Sequence, residues 1–153
     1  MGAKKNIEAS DVREHGFPDE EGDTKNLEEA LWTRNMGEAM HQARMLSEIG
    51  VRGEAIFPIC ERVFRTLILT QNYLTEKKMN WEAVYAAFHM RGKTQQSNLM
   101  RGVKAYKPAE LRSSLEKILQ ADYDLKTGRL PSEMAVSILM LNLCGAPAPV
   151  LLR

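Results

Sequence analysis

The stretch Leu130-Pro-Ser-Glu-Met134-Ala-Val-Ser-Ile138-Leu-Met-Leu-Asn-Leu-Cys144 decides the fold. Pro131 suits a first helical turn, where its missing N–H would be unpaired in any case, and Glu133 complements the positive end of the helix dipole. From Met134 onward, Ala135, Val136, Ile138, Leu139, Met140, Leu141, Leu143 and Cys144 leave almost no polar face. A helix that is apolar all round is buried on all sides. This one is also shorter than the roughly 20 apolar residues that cross a bilayer. The expectation is a bundle of about six to seven helices packed around this C-terminal one.

Upstream of it the apolar residues recur at helical intervals. Pro108 opens a helix in which Leu111, Leu115, Ile118, Leu119 and Leu125 repeat until Gly128, with Lys126 complementing the dipole near its end. Thr94 to Tyr106 carries Leu99, Met100 and Val103, and Asn80 is placed to cap Trp81–Met90. The longest run, Glu54 to Lys77, has one broad stripe of Ile56, Cys60, Val63, Phe64, Leu67, Ile68 and Leu74. Pro58 is awkward there: the helix either starts near Ile56 or is kinked in its first turns. Asn35 is a cap for Met36–Ile49, which Gly50 ends, and Asn26 a cap for a short helix with Leu27, Ala30 and Leu31 on its apolar side. Residues 7–15 read as one more short helix. No stretch alternates at period two and no fixed repeat is present, so the fold class is all-α.

Pro18 to Asp23, acid-rich with Pro and Gly, reads as a solvated linker. The chain thus divides into 1–24, a helical domain over 25–144, and an extended tail over 145–153, where Gly145-Ala-Pro-Ala-Pro cannot continue a helix. Its 153 residues are 44% apolar and 27% charged with a net charge of +1, which carries no global message toward nucleic acid or membrane. Cys60 and Cys144 lie inside apolar helical patterns and fit buried thiols of a reducing compartment. The N-terminus has no apolar signal region, so the cytoplasm is the expected location. Met1-Gly2 is compatible with an expression scar, in which case the chain is a piece of something longer.

Catalytic patterns are absent. Gly92-Lys93-Thr94 resembles the end of a phosphate-binding loop, but Ala87 stands where that motif needs glycine and no apolar strand precedes it. His15, His41 and His89 are far apart and outside any zinc pattern, and no serine sits in a nucleophile elbow. No enzyme activity, metal or cofactor is expected. One segment stands out. Arg91, Lys93, Arg101, Lys104 and Lys107 have no acid between them, and two short helices flank a glycine-containing turn as in a helix-turn-helix. These five are candidate contacts for DNA phosphates, and Gln95, Gln96 and Asn98 are candidates for reading bases. The alternative is a solvated basic face on a connecting helix.

From Glu28 to Cys144 the chain resembles the C-terminal domain of the delta subunit of the bacterial DNA polymerase III clamp loader. The resemblance is carried by Met36-Gly-Glu-Ala-Met-His-Gln-Ala-Arg-Met-Leu with Gly50 and Gly53-Glu54, by Phe64-Arg-Thr-Leu67, and by Tyr106-Lys-Pro-Ala-Glu-Leu111. Ala121-Asp-Tyr-Asp-Leu125-Lys-Thr-Gly128 is similar to the family's helix ending, and Ile7 to Arg13 looks like the close of a preceding lid domain. Pro58, Tyr106 in place of phenylalanine, and the Ala-Pro tail depart from the pattern. The resemblance implies a collar domain that joins homologous domains in a five-membered ring, with gamma/tau and delta-prime subunits as partners and DNA within the assembly. It implies no ATP hydrolysis, with clamp opening assigned to an N-terminal part this chain lacks. Any nucleotidyltransferase activity would belong to the holoenzyme as a whole. A scaffold of this kind should expose an apolar patch.

Overall fold

The structure, a computed structural model, describes residues 20–145. Seven helices follow one another: α1 Glu20–Trp32, α2 Met36–Glu48, α3 Gly53–Thr75, α4 Trp81–Ala87, α5 Lys93–Ala105, α6 Pro108–Lys126 and α7 Ser132–Cys144. Among the described residues there is no strand, and the all-α bundle is what the periodicity predicts. The short helix expected over 7–15, and the tail beyond Gly145, lie outside the described residues.

The element on which the others converge is α3. It packs against α1, α4, α5, α6 and α7. Its stripe of Ile56, Cys60, Val63, Phe64 and Leu67 is fully buried. Helix α7 lies between α2 and α6 and antiparallel to both. At one end, the Gly53 N–H that follows the α2–α3 turn donates to Ser132 Oγ at 2.8 Å, and a Cβ on Gly53 would lie 2.9 Å from Leu125 Cδ2 of α6. At the other, a Cβ on Gly145 would lie 3.8 Å from Met36 Sδ, and Lys117 Nζ of α6 donates to the Asn142 carbonyl at 3.2 Å.

Four expectations need correction. Helix α7 is not buried on all sides: Met134, Ile138 and Leu141 are 50%, 40% and 48% exposed. It packs with the opposite face, through Ala135, Leu139 and Leu143, because it forms one side of the bundle. Asn26 is not a cap but an interior residue of α1, which begins at Glu20 within the acidic stretch read as linker. Acidic residues are also favoured at a helix's positive end, so composition alone did not separate the two. Pro58 neither delays nor ends α3, which runs from Gly53 through it. Pro58 and Glu54 are both exposed, so the carbonyl that loses its i+4 donor faces water. Leu119, placed in the α6 stripe, is 67% exposed.

The caps follow the sequence closely. Asn35 Oδ1 accepts from the Glu38 N–H at 3.1 Å and Asn80 Oδ1 from the Ala83 N–H at 2.8 Å. Gly50 adopts φ +92° and closes α2, as only glycine does without strain.

Candidate functional site

On the outer face of α7, Met134, Ile138 and Leu141 fall within about 60° of one another around the helix axis. They form an apolar stripe about 10 Å long with no charged residue in it. Met45 and Ile49, both 45% exposed, lie toward the end of the antiparallel α2, which the contacts above place beside the start of α7. An exposed apolar face flanked by polar residues has the make-up of surfaces that proteins cover on association, and it offers no chemistry.

The ends of the packed helices are clasped by Arg34, a residue without a sequence motif. Arg34 closes α1 at φ +53°, a left-handed position, with the Asn35 N–H reaching back to the Ala30 carbonyl at 2.9 Å. Its guanidinium forks onto Glu110, Nη2 to Oε2 at 2.7 Å and Nη1 to Oε1 at 3.0 Å. It also donates to the Ala105 carbonyl at 2.7 Å, to Gly145 at 2.8 Å and to Cys144 at 3.3 Å. The cation thus sits at the C-terminal ends of α5 and α7, where helix dipoles favour it. It lies 4.8 Å from the Tyr106 ring centroid, and the Tyr106 hydroxyl donates to the Leu31 carbonyl at 2.6 Å. The hydroxyl thus closes a bond to α1 that a phenylalanine here could not make.

Electrostatics in the clasp follow from these contacts. The hydrogen bond from Arg34 holds the Glu110 carboxyl below its ordinary value, helped by the Lys107 backbone N–H. Burial pushes the Tyr106 phenol and the Cys144 thiol up, and burial does the same to Cys60. Both cysteines are free and buried, as expected of core thiols. An open cleft of about 430 Å³ borders Arg34, Glu110 and Lys117, but Arg34 spends its donors on the fold. The sequence signal for this clasp was faint: an arginine just before a capping asparagine.

The basic segment takes a different form from the one anticipated. Arg91, Lys93, Arg101, Lys104 and Lys107 are all exposed, and none is in an ion pair within the described residues. Lys93, Arg101 and Lys104 share one side of α5, opposite the buried Asn98, Leu99 and Gly102. The helix-turn-helix does not form, because α4 and α5 each pack on α3 with little contact between them. Two of the three base-reading candidates are held by the fold: Asn98 is buried, and Gln96 Nε2 donates to the Met90 carbonyl at 2.9 Å. Gln95 remains exposed. Upstream, Lys77 and Lys78 add positive charge, separated from Arg91 by the single acid Glu82.

Among the described residues, no three His, Cys, Asp or Glu side chains gather as a metal site requires. No helix among them is long and apolar enough to cross a membrane. Gly92 and Lys93 open α5 from an ordinary extended N-cap.

Searches of curated proteins and of solved structures found no match. A family model described as DNA polymerase III delta subunit, C-terminal domain, matches residues 23–143. That span takes in nearly all of the helical domain, including the α7 stripe and both ends of the Arg34 clasp. This domain is a non-catalytic component of the clamp loader, in keeping with a site made of packing surfaces. The chain belongs to the DNA polymerase III delta subunit family, as its C-terminal domain, and its role lies with the clamp loader of DNA replication.

Proposed function

We propose that this domain is a collar element, docking side by side with homologous helical domains of the gamma/tau and delta-prime subunits. The observation that carries the reading is the stripe of Met134, Ile138 and Leu141 along the outer face of α7. Burial of apolar area drives association, and a stable interface covers roughly 1,200–2,000 Å² in total. One helix face supplies part of that, and Met45 and Ile49 on the neighbouring helix supply more.

Size-exclusion chromatography with light scattering, on the chain mixed with the other clamp-loader subunits, tests the reading. The wild-type chain co-migrates in a stable complex. Ile138→Asp with Leu141→Asp breaks the complex while leaving the helical circular dichroism of the isolated chain unchanged, since both side chains face water there. Co-migration of the double variant at wild-type strength would remove α7 as the docking face.

A second reading is favoured by the unpaired cations of α5: contact with DNA phosphates in the assembled complex. It predicts binding at low ionic strength that weakens steeply as salt is added.

A further inference from the structure

Thr70, Ser114 and Asn98 are polar side chains buried in the bundle. Thr70 and Ser114 donate to carbonyls one turn back, at 2.8 and 2.7 Å. The Asn98 amide, on a residue only 9% exposed, has no hydrogen-bond partner among the described residues. No side-chain nitrogen or oxygen among those residues is both sealed from solvent and unpartnered, so the amide opens onto free space. The space that Asn98 lines is a cleft of about 300 Å³ between α1 and α5. The two helices touch at Gly102, where an added Cβ would meet the Trp32 carbonyl, and the cleft opens one turn of α5 before it. Folding alone would favour an apolar residue at position 98, since an amide without a partner costs stability at a helix contact.

We propose that this cleft binds an extended peptide segment of a partner protein, with the Asn98 amide paired to one peptide unit of that segment. A primary amide presents a donor beside an acceptor, complementary to the N–H and C=O of a backbone. In such recognition, main-chain bonds give affinity and neighbouring pockets give specificity. Trp32 and Met90 offer apolar surface for one side chain of the segment. Thr94 and Gln95, both exposed and unpartnered, line the α5 side and offer further polar contacts. Across from them, Glu28 is engaged by Arg62 and by the Trp32 indole N–H, whereas Lys25 and Glu29 make no ion pair. The free Glu29 carboxylate selects a basic residue in the segment. Two carboxylates against one lysine disfavour a phosphate-bearing ligand, and the volume is at the low end for a small-molecule site. The cleft is built without α7 and holds whether or not the α7 stripe docks in a collar.

Panning a displayed library of short random peptides on the full chain tests this, with the Asn98→Leu chain as counter-selection. Enriched sequences pair an apolar residue with lysine or arginine. A labelled peptide from that set binds by anisotropy, and in the nitrogen-15 spectrum it moves the Asn98 side-chain NH2 pair and the Trp32 indole N–H. Asn98→Leu weakens it about tenfold, while the urea midpoint of that variant stays at or above wild type. The exposed Glu29→Lys weakens the basic peptide and improves binding of its acidic counterpart. No enrichment over the Asn98→Leu chain, or selected peptides that bind both chains equally, would overturn the proposal. An Asn98→Leu midpoint well below wild type would make the amide structural and overturn its role. Thymidine moving the Asn98 NH2 pair where the peptide leaves it unmoved would give the cleft to a base and overturn the peptide.

Discussion

Arg34 shows how one side chain can fix the relation of four elements. Its backbone closes α1, and its guanidinium reaches the last carbonyls of α5 and α7 and the first turn of α6. The ion pair with Glu110 is mostly shielded, with side-chain exposures of 17% and 20%. A left-handed φ costs a non-glycine residue about 1 kcal/mol, which the charge-assisted bonds more than offset. Arg34→Ala should lower stability by about 2–3 kcal/mol, read from urea unfolding. Arg34→Lys should recover little of that, since an ammonium cannot fork onto a carboxylate. The pH dependence follows from Glu110. Its folded pKa lies below the ordinary 4.5, so its contribution is fully present above that value and is lost as pH falls through the folded value. Glu110→Gln should therefore flatten the acid limb of a stability-against-pH curve, and an unchanged limb would show the pair to be energetically idle.

At the scale of the helix, the places where sequence and structure part have physical causes. Glycine marked the ends at Gly50 and Gly128, with φ of +92° and +75°. Three other helix ends use Arg34, Lys78 and His89 in the left-handed region, where no residue type announced the stop. That is why α4 stops at Ala87, just before the Phe88 of its apolar pattern. The sidedness of α7 was illegible for a different reason: a helix apolar on every face carries no direction in its sequence. Two substitutions test the packing. Pro58→Ala restores the bond to the Glu54 carbonyl and should stabilise by about 1–2 kcal/mol, less than a buried interior proline would give because that carbonyl is already hydrated. Gly102 is a tight contact that the pattern of α5 did not flag. A Cβ there would lie 2.7 Å from Leu67 Cδ2 and 2.9 Å from the Trp32 carbonyl oxygen. Leu67 can shift but the α1 backbone cannot, so Gly102→Ala should destabilise by about 1–3 kcal/mol despite alanine's better helix propensity. A urea midpoint at or above wild type would mean α5 can move away from α1.

At the scale of the molecule, a net charge of +1 concealed a division into a basic stretch over 77–107 and an acidic remainder, so the global count could not point to the basic face of α5. An exposed apolar patch could be expected without a position, because a pattern of core residues locates buried faces and leaves the outer ones open; the exposed Met134, Ile138 and Leu141 give it one. Cooperativity can be argued from α3. Five helices share its surface, so unfolding any of α1, α5, α6 or α7 exposes the Ile56–Leu67 stripe on which the others depend. Urea transitions followed by Trp32 emission, in a Trp81→Phe background, and by circular dichroism should therefore coincide. The exception is α4. It is seven residues long and packs substantially only on α3, a small anchorage for so short a helix. Hydrogen exchange should show α4 amides opening well before those of α3, at a free energy below the global value. Equal protection of α4 and α3 would instead show that α4 opens only with the whole bundle.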